Sequence, residues 1–157
     1  MKTYAQFLLF AALSLLSSCS KKEAVSPYFF SCKIDGKAYA ITNETGAYAV
    51  VFSSSSNTIY GTELESVTTA TPRTMYITLE STKGVGVHQC NGKNSVFFED
   101  TDKSVYRTNF NNGLGQIEIT EKTAEFIKGK FSCTANTFTS PIRKIVVTEG
   151  EFSVKFR

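Results

Sequence analysis

Four cysteines, one histidine and a short run of carboxylates are the residues of this chain whose types and spacing suggest chemistry. Cys19 stands apart from the rest. It follows Leu16-Ser17-Ser18, and before that an apolar run from Phe7 to Leu16 that is preceded by a single basic residue, Lys2. A basic start, about ten apolar residues and a small-residue cleavage site make a secretory signal, because a membrane-spanning helix needs about twenty apolar residues. A cysteine directly after Leu-Ser-Ser is the pattern that a lipoprotein signal peptidase reads. Residues 1–18 are therefore expected to be removed. The Cys19 thiol would become a thioether to diacylglycerol, and its new amino group would take an amide-linked acyl chain such as palmitate. Two or more lipid chains give stable anchoring, which one chain does not. Ser20 follows the lipidated position in place of an aspartate, so the outer membrane is the expected location.

Lipidation leaves Cys32, Cys90 and Cys133. An envelope location is oxidising and permits a disulfide, but three thiols form at most one intrachain bridge. Cys32 and Cys133 each lie within Phe-Ser-Cys, in phase with neighbouring aromatic residues, so both are expected to face the core. Their pairing is the favoured bridge, with Cys90 as the other candidate partner. Three buried, unpaired thiols are the alternative, since free cysteine packs as a small hydrophobe.

His88 and Cys90 share a strand face and could supply two metal ligands. Zinc takes three or four, so no metal site is expected and no cofactor is assigned. The same scarcity of histidine argues against a nucleophile-histidine pair. Glu99, Asp100 and Asp102 form an acidic loop. It lacks the glycine and the distal glutamate of a calcium loop, and reads as a solvated turn with weak ligand-binding potential. Tyr48, Tyr60, Phe97, Phe98 and Tyr106 are further weak ligand-binding candidates, alongside Tyr76 and Phe110. Rings on an exposed sheet face could hold a sugar, although aromatic residues more often fill a β-core.

The elements that must position these residues are strands. Tyr28–Ile34 is aromatic and β-branched, ends at Asp35-Gly36, a strong hairpin signal, and resumes as Lys37–Thr42. Further short strands are expected at 48–52, 58–62, 74–79, 85–90, 95–98, 105–109, 115–120, 125–135, 144–148 and 151–156. A break of phase near Gly129 marks a bulge, and Gly150 separates the last two. Many short strands divided by turn residues predict an all-β fold: a single antiparallel β-sandwich, or a partly closed barrel. The expected organisation is a signal peptide at 1–18, the lipidated cysteine and a polar tether at 19–27, and one β-domain at 28–157.

Phe30-Ser-Cys-Lys-Ile-Asp-Gly-Lys37 shortly after a lipobox, then Gly115–Thr120, Gly129–Ala135 and Val147-Thr-Glu-Gly-Glu-Phe-Ser-Val154, together resemble a family of small lipoproteins from Bacteroidetes, a domain of unknown function. The resemblance implies a shared fold and an envelope location. It brings no catalytic residue with it. The middle of the chain, 43–112, departs most from the family's pattern, so a specific binding site is expected there.

Lys+Arg number 17 and Asp+Glu 14, and the signal takes Lys2 with it. A nearly neutral domain with scattered basic residues argues against nucleic-acid binding. The expected partners are the membrane, through the anchor, and an unidentified envelope protein or glycan. The expected function is a lipid-anchored, non-enzymatic binding module. The alternatives are a structural accessory lipoprotein of an outer-membrane complex, or a hydrolase using the carboxylates of 99–102.

Overall fold

The computed structural model describes residues 26–53, 55–63 and 72–157. The lipobox, Cys19 and most of the tether lie outside the described residues.

Eleven strands and no helix make up this part of the chain: β1 (Phe29–Ile34), β2 (Lys37–Ile41), β3 (Ala47–Ser53), β4 (Ser56–Thr62), β5 (Thr74–Glu80), β6 (Gly86–Gln89), β7 (Ser95–Glu99), β8 (Val105–Arg107), β9 (Leu114–Lys122), β10 (Phe126–Thr137) and β11 (Lys144–Phe156). The first hairpin forms where Asp35-Gly36 predicts it. Both residues take positive φ, 49° and 79°, and Ile34 pairs with Lys37 across the turn. Left-handed backbone at both central positions matches the right-handed twist of the strands, and Asp-Gly accommodates it at little cost.

All eleven strands belong to one mostly antiparallel sheet that folds over on itself. One layer runs β2-β1-β11-β10-β9-β6 and the other β3-β4-β5-β7-β8. The two long strands β10 and β11 form the antiparallel ribbon that links them. At one end of this ribbon Lys155 and Phe156 pair in parallel with Tyr48 and Ala49 of β3. At the opposite end Asn136 and Thr137 pair with Arg107 and Tyr106 of β8. The result is a sandwich whose layers share hydrogen bonds through strands that pass from one sheet to the other.

Alternation along the strands builds the core between the layers. On β1, Phe30, Cys32 and Ile34 are buried, and on β5, Met75, Ile77 and Leu79. Rings close the interior: Phe30 packs edge-on against Tyr39 at 6.4 Å and against Phe131 at 5.2 Å, and Tyr39 meets Phe98 at 6.2 Å.

One expected strand break is absent. Residues 144–156 form one strand of 13 residues, with no turn at Gly150. The chain instead carries a bulge: Glu149 takes φ 52°, and the register slips against both β1 and β10. A bulge adds a residue without ending the strand, and so looks like a turn in sequence. A β-carbon on Gly150 would come within 2.4 Å of the Phe131 carbonyl oxygen, so glycine is needed for the close approach of the strands. The expected bulge near Gly129 is present, as a slip between Lys128 and Gly129 against β9.

Candidate functional site

A cavity of about 530 Å³ opens at one end of the sandwich. Its floor is apolar: Ile34, Phe98, Tyr106 and Ile145. Its rim is charged: Asp35, Lys37, Arg73, Asp100, Arg143 and Lys144. These residues come from the β1–β2 turn, the residue before β5, the β7–β8 turn and the entry to β11.

Local chemistry holds each piece. Asp35 Oδ1 accepts from the Val146 amide at 2.8 Å, and the Asp35 amide donates to the Val146 carbonyl at 2.9 Å, which ties the hairpin tip to β11. In the β7–β8 turn, Asp100 Oδ1 accepts from the Thr101 amide and Asp102 Oδ1 from the Ser104 amide, both at 2.8 Å. Short acidic side chains favour turns through such bonds.

Both arginines are held by carboxylates just outside the cavity. Arg73 donates through Nε to Glu63 Oε2 at 2.8 Å and through Nη2 to Oε1, a forked pair, and lies 5.3 Å over the Tyr39 ring. Arg143 donates through Nη1 to Asp102 Oδ2 at 3.0 Å and through Nη2 to Ser104 Oγ, and lies 5.7 Å over the Tyr106 ring. The Ser104 hydroxyl, then the Ser104 amide, then Arg143 hold the Asp102 carboxyl down at about 2. Burial pushes the Tyr106 hydroxyl up.

The family whose sequence model matches residues 29–154 is described as "Domain of unknown function (DUF6252)". The chain belongs to that family. No curated protein and no solved structure matches the chain.

The DUF6252 domain divides the acidic and aromatic candidates between two places. Phe98, Asp100 and Tyr106 line the cavity, and Asp102 stands behind Arg143. Phe98 and Tyr106 face the interior, at 2% and 6% exposure, and so serve mainly as floor. Sequence reasoning missed Asp35, Lys37, Arg73, Arg143 and Lys144. Four of these lie in the terminal segments, outside the 43–112 region where a site was expected. The available signal was Asp35-Gly36, which marks a tip but does not show what the tip meets.

Tyr48, Tyr60 and Phe97 lie elsewhere, on the outer face of the second layer. Tyr48 pairs with Tyr60, Tyr60 with Tyr76, Tyr76 with Phe97, and Phe97 with Arg107, one residue from each of five successive strands. Tyr48–Tyr60 and Tyr76–Phe97 stack at 4.9 and 4.1 Å, with Tyr60–Tyr76 tilted between them at 5.7 Å. Guanidinium groups cap both ends: Arg157 lies 4.3 Å over Tyr48 and Arg107 lies 4.7 Å over Phe97. The rings turn their faces to one another and to the arginines, and they offer the solvent mainly their edges. Stacking a sugar needs a free face, so the ladder's chief effect is to bind the strands of this layer together. Glu99, paired with Thr74 and Val105, lies on the same sheet.

The Cys32–Cys133 bridge is not formed. Cys32 is on β1 and Cys133 on β10, with β11 running between them. Two strand spacings amount to about 9–10 Å, beyond the roughly 7 Å that a disulfide can span. Cys90 and Cys133 are separated in the same way by Gly115 of β9. All three thiols are free. Burial raises Cys32 to about 12 and pushes Cys90 and Cys133 up as well. His88 Nε2 donates to the Gly84 carbonyl at 2.8 Å, and among the described residues no three His, Cys, Asp or Glu side chains are grouped to hold a metal.

Proposed function

We propose that this chain is a lipid-anchored cell-envelope protein of the kind found in Bacteroidetes, held at Cys19 to the outer membrane, and that its β-domain is a non-enzymatic module binding a ligand in the end cavity. The observation that carries this reading is the convergence of six charged side chains, from four separate stretches, around one apolar floor. Few polar groups over an apolar base is the general form of a ligand site. The signal pattern and lipobox support the anchor, and the tether would place the domain close to the bilayer.

A hydrolase acting through the 99–102 loop is the weaker reading. A general acid must be protonated near working pH. Asp102 is held ionised by Ser104 and Arg143.

The test uses the full chain extracted from membranes in mild detergent, probed with a glycan panel and with envelope extract. A ligand bound at micromolar affinity, weakened about tenfold or more by Arg143→Ala, is the expected result. Absence of any ligand at that affinity, or binding indifferent to Arg143→Ala, overturns the reading. Fractionation tests the anchor separately: Cys19→Ala should leave the membrane fraction, and its retention after a high-salt wash would refute lipidation.

A further inference from the structure

Within the end cavity, hydrogen-bond donors and acceptors are not equally engaged. Asp35 Oδ1 already holds the Val146 amide, and Asp100 Oδ1 the Thr101 amide. Arg73 uses Nε and Nη2 on Glu63, and Arg143 uses Nη1 and Nη2 on Asp102 and Ser104. Lys37 and Lys144 differ. Both line the cavity, and among the described residues neither has a carboxylate within ion-pair distance, whereas Lys33, Lys83, Lys93, Lys128 and Lys130 each do. Among the described residues, Arg73 Nη1 has no hydrogen-bond acceptor. The rim therefore carries two ammonium groups that pair with no carboxylate of the described residues, while Asp35 and Asp100 each give one oxygen to a backbone amide.

Resting on the binding reading above, we infer that the ligand of this cavity is anionic. A compact oxyanion, a carboxylate or a sulfate or phosphate ester, is held between Lys37 and Lys144, with the body of the ligand over Ile34, Phe98, Tyr106 and Ile145. Ammonium groups act as mobile point charges and accept an oxyanion without fixed fork geometry, while the two paired arginines keep the walls in place. The volume admits a group of about one sugar ring and its substituent.

The experiment is calorimetric titration of the full chain in mild detergent with four probes: hexagalacturonate, a sulfated disaccharide, glycerol 3-phosphate and neutral cellohexaose. Hexagalacturonate and the sulfated disaccharide represent acidic glycans, and glycerol 3-phosphate a lipid headgroup. At least one anionic probe is expected to bind, more weakly as salt rises. Lys37→Ala/Lys144→Ala should weaken it about tenfold or more, with the thermal midpoint retained because both side chains are exposed. Lys128→Ala/Lys130→Ala, on β10 and ion-paired with Glu121 and Glu151 away from the cavity, should leave it unchanged. Cellohexaose binding as tightly as the charged probes, or affinity unaltered in the Lys37/Lys144 variant, overturns the anionic class and leaves a binding module of another class standing. Failure of all four probes at millimolar concentration overturns the anionic proposal. If the glycan panel and envelope extract are also without effect, the binding reading goes with it.

Discussion

Asp102 shows how much a single residue's surroundings decide. Read along the chain it is one of three carboxylates in an acidic loop. In the fold it is an anchor for Arg143, its carboxyl held at about 2 by Ser104 and Arg143. A carboxyl whose folded pKa is depressed contributes stability that is present above its ordinary value of 3.8 and lost as pH falls toward 2. The thermal midpoint should therefore decline across that acid window, and Asp102→Asn should lack that part of the decline, as a melting series from pH 5 to pH 2 would show. The cysteines give a second prediction at this scale. Without reductant, the native protein should resist alkylation at buried Cys32 and Cys133, more than at half-buried Cys90, and denaturation should expose three free thiols. Mass mapping reads this directly. A disulfide-linked peptide pair would contradict the strand order.

Among the elements, the β10–β11 ribbon and the aromatic ladder carry most of the argument. The ribbon passes between layers at both ends and bends at the Glu149–Gly150 bulge. Gly150→Val would drive its side chain into the Phe131 carbonyl and ring, and should destabilise the domain by about 2–3 kcal/mol in denaturant titration. Tyr60 contacts a ring on each side, so Tyr60→Ala should cost about 1–2 kcal/mol, at roughly 0.2–1 kcal/mol per cross-strand pair plus lost packing. Tyr60→Phe should be close to neutral, because the face contacts survive and only the hydroxyl goes. A large loss for Tyr60→Phe would show that the hydroxyl, not the ring stack, holds the layer.

For the whole molecule, the two outer faces contrast. The first layer carries ion pairs, among them Lys33–Glu149, Lys128–Glu121 and Lys130–Glu151. The second carries the arginine-capped ladder. Shallower hollows of about 390 and 380 Å³ lie along the first layer, whereas the end cavity, at about 530 Å³, rings its apolar floor with six charged side chains. The proposed ligand site lies at the end of the sandwich, close to the β1–β2 turn and the entry to β11. If the binding reading holds, substitutions on either flat face should leave affinity unchanged while those on the rim alter it. Rim and face variants compared in one titration series would check this.

The strands, the Asp35-Gly36 hairpin and the bulge near Gly129 were legible in the residues themselves, because alternation and turn chemistry are local properties. The all-β class follows from them, and so does the matching of Phe30 and Cys32 to the core face. The pairing of strands was not legible. Period-two alternation says which side of a strand is buried and nothing about which strand lies beside it, so Phe-Ser-Cys at two positions suggested a bridge that β11 in fact separates. The ladder was visible only as scattered tyrosines, since its register depends on five strands at once. The cavity was hidden for the same reason: Lys37, Arg73 and Lys144 are ordinary surface residues in sequence, and become a site only when the sheet folds over and brings a hairpin tip, a loop end and the start of the last strand to one place.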